Sequence, residues 1–120
     1  MIGIELQNDV IEVGKFLSGS FSYTRDSSYN QEKRPYEINL KVALRTEGRG
    51  DVDTEIIYDN SFLETTYSTF GCRIPPLGPI SYDGELIRVI WEVITEAKFP
   101  GIFGGTEKQV KVFQVIPAGA

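Results

Sequence analysis

The chain has no histidine, one cysteine, one methionine and one tryptophan in 120 residues, and its 12 Lys and Arg are outnumbered by 17 Asp and Glu. Without histidine it lacks the commonest general base, the commonest switch near neutral pH and the commonest transition-metal ligand. Catalysis would have to rest on carboxylates, lysine, tyrosine or Cys72, and we expect a protein that is not an enzyme and needs no cofactor. A lone cysteine cannot form an internal disulfide, so the fold does not depend on an oxidising compartment. The formal net charge of -5 argues against nucleic-acid binding, which needs clustered Lys and Arg. No basic start followed by an apolar run is present, so the sequence predicts neither a signal peptide nor a membrane span, and a cytoplasmic location.

What is present is alternation. Ile2, Ile4 and Leu6 alternate with Gly3 and Glu5, the period-2 signature of a half-buried strand. A short second strand, Val10 to Val13, ends at Gly14. Leu17, Gly19, Phe21 and Tyr23 set up a third against Ser18, Ser20 and Ser22, and Gly19 inside it predicts a bend or a close backbone approach. The cleanest strand is Tyr36, Ile38, Leu40, Val42 and Leu44 against Glu37, Asn39, Lys41, Ala43 and Arg45. A turn over 46–51 leads to its antiparallel partner, Val52 to Tyr58, and Asp59-Asn60-Ser61 reads as a further turn. Phe62 to Thr66 is a short edge piece or a connector, and Phe70, Cys72 and Ile74 share one face of the next strand.

The chain then enters Ile74-Pro75-Pro76-Leu77-Gly78-Pro79-Ile80-Ser81-Tyr82-Asp83-Gly84, where three prolines and two glycines forbid a regular element. Leu86 to Ala97 follows. Its apolar positions also fit a helical stripe, but six β-branched residues and the absence of a cap favour a strand with Trp91 in the core. A glycine-rich loop, Phe99 to Thr106, leads to a last strand from Glu107 to Ile116. Seven or eight strands with turn signals between them and no strong helix predict an all-β, immunoglobulin-like two-sheet antiparallel sandwich, one domain spanning residues 1–120.

Two loops are candidate contact surfaces. The stretch 24–35 reads first as a solvated hairpin tip and, more sharply, as a partner-binding loop using Arg25, Tyr29, Lys33 and Arg34. Ile102 and Phe103, flanked by glycines, either fold back over the sandwich or meet a partner. Asp51, Asp53 and Glu55 share a strand face next to Asp59 and raise the question of calcium, but alternating acids on a strand are ordinarily its solvated side. Cys72, alternating with Phe70 and Ile74, reads as a buried structural thiol. Ser81-Tyr82-Asp83-Gly84 reads as a tight turn.

With these strands placed, the chain resembles the arrestin-like superfamily. Ile4-Glu5-Leu6 and then Val13-Gly14-Lys15-Phe16-Leu17-Ser18-Gly19-Ser20-Phe21 are similar to the family's opening, although Lys15 stands where an acidic residue is usual and Val13 where proline often stands. Ile74-Pro75-Pro76 through Ser81-Tyr82-Asp83-Gly84 to Arg88-Val89-Ile90-Trp91-Glu92-Val93 resembles its proline turn and following strand, and Phe113-Gln114-Val115-Ile116-Pro117 its close. The resemblance covers one arrestin-type domain, and the phosphate-sensing polar core of two-domain members, which needs buried Arg and Asp partners spread over both domains, is not carried over to this sequence. It implies a non-enzymatic adaptor that binds other proteins, with a homodimer through an edge strand as one form of partner. A carbohydrate-binding sandwich, stacking sugar on Tyr23, Tyr29, Tyr36 and Tyr67, is the alternative.

Overall fold

The computed structural model describes residues 1–24, 34–101 and 104–119. Among them are nine strands: β1 (Ile2–Leu6), β2 (Val10–Glu12), β3 (Phe16–Tyr23), β4 (Glu37–Gly48), β5 (Asp51–Leu63), β6 (Tyr67–Arg73), β7 (Tyr82–Asp83), β8 (Ile87–Lys98) and β9 (Thr106–Ile116). They form a three-stranded sheet, β1-β3-β6, and a larger one ordered β2-β9-β8-β4-β5, with β7 joined to β8 beside β9. All pairings are antiparallel except one: β2 runs parallel to β9 over Val10–Glu12.

The alternation of β4 does what its period demands. Ile38, Leu40 and Val42 are fully buried and Leu44 nearly so. They face the small sheet together with Trp91, Val93 and Ala97 of β8 and Phe113 and Val115 of β9, while Leu17, Phe21, Phe70, Cys72 and Ile74 close over them. The segment 87–98 is a strand, and Trp91 is at the centre of the core. Burying a tryptophan removes about 150–250 Å² from water, about 4–6 kcal/mol before entropy is subtracted. Its indole N–H would be orphaned there, and the proline turn resolves this: Trp91 Nε1 donates to Pro79 O at 3.0 Å. The other face of β8 is also covered at its middle, with Ile90 and Glu92 buried.

Gly19 is the tight point of the small sheet. A Cβ there would lie 2.4 Å from the Glu5 carbonyl oxygen and 3.0 Å from the Phe70 ring, so only glycine lets β1 and β6 close on β3. The β4–β5 turn is the two residues Arg49 and Gly50, with φ of 42° and 87°, the doubly positive geometry whose twist matches flanking strands.

Two expectations are corrected in β5. Asp59-Asn60-Ser61 is not a turn; it continues the strand to Leu63. Asn39 of β4 holds it there, its Nδ2 donating to Asp59 Oδ1 at 2.8 Å and Ser61 Oγ at 3.0 Å. The register also steps between Val42↔Tyr58 and Ala43↔Ile56, so Ile57 is the extra residue of a bulge. Asp51, Asp53 and Glu55 therefore share the face of Leu44, whereas Asp59, opposite Lys41, lies on the other face.

Candidate interaction surfaces

The bases of the two loops picked out by sequence meet at one end of the sandwich. Tyr23, where β3 ends, packs its ring on Phe99 with centroids 5.5 Å apart. Tyr36 N–H donates to Lys98 O, and Phe99 N–H to Gly105 O. The Lys98 ammonium lies 2.8 Å from the Glu37 carboxylate. Their hydrogen bond holds the Glu37 carboxyl below its ordinary value against the opposing effect of desolvation. The same bond raises the Lys98 amine. Arg34 is exposed beside the buried Pro35. Arg25, Tyr29, Lys33, Ile102 and Phe103 lie outside the described residues.

The tyrosines named for sugar stacking form no common platform among the described residues. Tyr23 is half-buried against Phe99, Tyr67 stands exposed at the start of β6, and Tyr36 precedes β4 in the opposite sheet. Cys72 is buried, and burial raises its thiol above the ordinary value. No group of three or more His, Cys, Asp or Glu that could hold a metal ion comes together among the described residues.

The Ser81–Gly84 corner is a latch. Ser81 N–H donates to Val115 O, and Val115 N–H to Ser81 Oγ, both at 2.8 Å. Asp83 pairs with Arg88 Nε at 3.0 Å. A cleft of about 270 Å³ runs beside it, where β8 exchanges β9 for β7 as neighbour; Arg45, Tyr82, Arg88 and Gln114 are in its lining. Its two guanidinium groups are already balanced. Arg45 Nη2 is 3.7 Å from the buried Glu92, and Arg88 reaches both Asp83 and Glu47. Arg45 Nε is buried, 3.4 Å from a Glu47 oxygen but outside hydrogen-bonding geometry.

The sheet edges differ more than the clefts do. In β6, the ends bond back toward β3, Tyr23 N–H to Thr66 O and Ile74 N–H to Lys15 O. Alternation then points the backbone groups of Tyr67, Thr69, Gly71 and Arg73 outward. Side chains of the same segment cap most of those carbonyls: Thr65 Oγ1 donates to Tyr67 O at 2.7 Å, Ser68 Oγ to Thr69 O at 3.0 Å, and Cys72 Sγ to Arg73 O at 3.6 Å. In β1, Glu107 accepts the Ile2 amide. β5 lies at the other extreme, 13 residues at the rim of the large sheet with no strand on its outer side among the described residues. Sequence reading found its acids but not its edge, because which strand ends a sheet is a non-local fact.

These features define an arrestin-like β-sandwich, three strands packed on six. Among solved structures, the chain is similar to Spo0M, the sporulation control protein of Bacillus subtilis, with a TM-score of 0.60 and 16% sequence identity. The likeness covers 95% of this chain and 48% of that one, so the chain spans about half of Spo0M. At that identity it is a likeness of fold. No family model and no curated protein matches the chain.

Proposed function

We propose that the chain is a non-enzymatic, cytoplasmic interaction module that binds other proteins in a regulatory role. The carrying observation is the contrast among its edges: β6 is capped by its own side chains, while β5 presents a long, uncovered row of backbone groups. An unpaired edge is a template for a further strand. The fold it shares with a sporulation control protein supports the same reading. The loops 24–35 and 99–106, rooted side by side, supply selectivity through Arg25, Tyr29, Lys33, Arg34, Ile102 and Phe103.

The test is affinity capture from the native host with mass spectrometry, using wild type and an Ile102→Ser/Phe103→Ser variant. A discrete protein set recovered by wild type and thinned in the variant is the expected result. Capture of nothing beyond the control, with binding on a glycan array, would replace the module by the sugar-binding alternative.

A further inference from the structure

We propose that the outer edge of β5 takes up, as an added strand, an extended segment of another protein carrying Lys or Arg at alternate positions. The proposal rests on the interaction-module reading and names its surface and the chemistry of its partner.

Consider first which edges are open. β1 is five residues long and tied by Glu107 at Ile2; β2 is three residues long; β6 is capped. β9 has an open side over Thr106–Val112, but β2 takes that side from Gln114 onward and Glu107 is engaged by β1. A folded second copy laid along β9 would meet β2. Among the described strands, only β5 is long and unobstructed by another described strand.

Next, the backbone direction. Gly84 N–H bonds to Ile87 O, so odd-numbered residues of β8 face β7 and β9, and even-numbered ones face β4. Followed through the β8–β4 and β4–β5 registers, this alternation points the N–H and C=O groups of Val52, Thr54 and Ile56 away from β4, into open space.

The side chains then select the occupant. Asp51, Asp53 and Glu55 are exposed on the inner face of the hairpin, and none makes an ion pair or side-chain hydrogen bond among the described residues. Asp51 and Asp53, with Thr46, Gly48, Val52 and Ile87, line a hollow of about 420 Å³. In an added strand, alternate side chains stand roughly 4.5–5.5 Å from their cross-strand neighbours. On that face the complement of three acids is three bases; on the other, beside the exposed Val52 and Ile56, it is apolar. The acids also reject a second copy. A two-fold antiparallel pairing of this half of β5 about Asp53 sets Asp53 against Asp53 and Asp51 against Glu55, and like charges directly opposite are destabilising.

The experiment uses the purified chain and two labelled hexapeptides, one alternating Lys with Val and one alternating Glu with Val, read by fluorescence anisotropy. The Lys peptide binds and weakens with salt; the Glu peptide does not bind. Asp51→Asn/Asp53→Asn/Glu55→Gln weakens binding roughly tenfold or more. Thr54→Pro keeps every acid and deletes an N–H that points outward, so the fold survives while strand addition is blocked. It should lose binding as fully as the charge variant. Equal binding by Thr54→Pro would reduce the effect to diffuse charge and overturn the proposal, as would no binding by wild type. Failure of the parent reading looks different: wild type that captures no host protein beyond the control removes the module itself, whereas host proteins captured equally by wild type and Thr54→Pro leave the module intact and remove only β5 as its site.

Discussion

The two sheets treat their edges in opposite ways. The small sheet is drawn shut: Gly19 brings β1 and β6 tight against β3, Glu107 takes the Ile2 amide, and hydroxyls of Thr65 and Ser68 occupy outward carbonyls of β6. The large sheet ends in β5, whose outward groups have no strand beside them and whose acids face a hollow. An edge strand is a liability unless blunted. The small sheet blunts its edge with hydrogen bonds, a defence indifferent to the approaching strand. The large sheet uses charge, which repels acidic and self-paired strands and admits basic ones.

The largest expected effect strikes the tight point of the small sheet. Gly19→Ala places a methyl group 2.4 Å from the Glu5 oxygen, and relief requires β1 to move off β3. The cost should be about 1–3 kcal/mol, read as a lower urea midpoint. Gly3→Ala is the control: its nearest neighbour is Ser22 Oγ at 3.5 Å, and the change should stay within about 0.5 kcal/mol. Equal midpoints for the two variants would break the picture of a sheet drawn tight at its centre.

A smaller effect comes from removing the caps. Thr65→Val/Ser68→Ala deletes both hydroxyl donors at exposed positions, and the loss in stability should be about 1 kcal/mol or less for each. The informative change is in solution behaviour. Residues 67–72 carry no charge, so the uncapped edge should self-associate in a manner that salt does not suppress. Sedimentation velocity at low and high salt reads this directly. A double variant that sediments like wild type would show that the hydroxyls do not guard the edge.

How much of this could be read from the chain follows the range of each interaction. Local alternation announced β4, Trp91 belonged in the core because its neighbours were β-branched, and Gly19 marked a close approach because glycine in a strand has few other uses. The two-sheet sandwich was legible in the same alternation and turn signals, whereas its arrestin-like form rested on the resemblance of the motifs around Gly14–Phe21 and Ile74–Val93. Asp51, Asp53 and Glu55 share one face as their spacing requires, but a period-2 reading assumes no bulge, and Ile57 breaks the period, sending Asp59, expected beside them, to the far side. Asp59-Asn60-Ser61 carries turn chemistry in its own sequence and is held in a strand by Asn39, 20 residues away. The parallel partnership of β2 and β9 joins residues about 100 positions apart, and nothing local to three residues encodes it. The caps of β6 looked like ordinary strand and turn hydroxyls, since capping is defined by which side of the strand is empty.

The smallest effect concerns the loop end of the large sheet, where its strands are tied by charge at a site both partners share with water. The Glu37–Lys98 hydrogen bond lowers the carboxyl and raises the amine. A depressed carboxyl contributes stability that is complete above its unfolded value, 4.5, and is lost as pH falls through the folded value. A raised amine contributes stability that is complete below 10.5 and is lost as pH rises through its folded value. Wild type should therefore exceed Glu37→Gln in melting temperature by a small, constant margin between those limits, and the margin should close as acid protonates Glu37. Lys98→Met should show the same acid-side closure, because either substitution removes the one bond. A margin that persists at low pH would mean that Glu37 acts through packing or Ser61 rather than through Lys98, and that charge defends only the bare edge of this sheet and not its loop end.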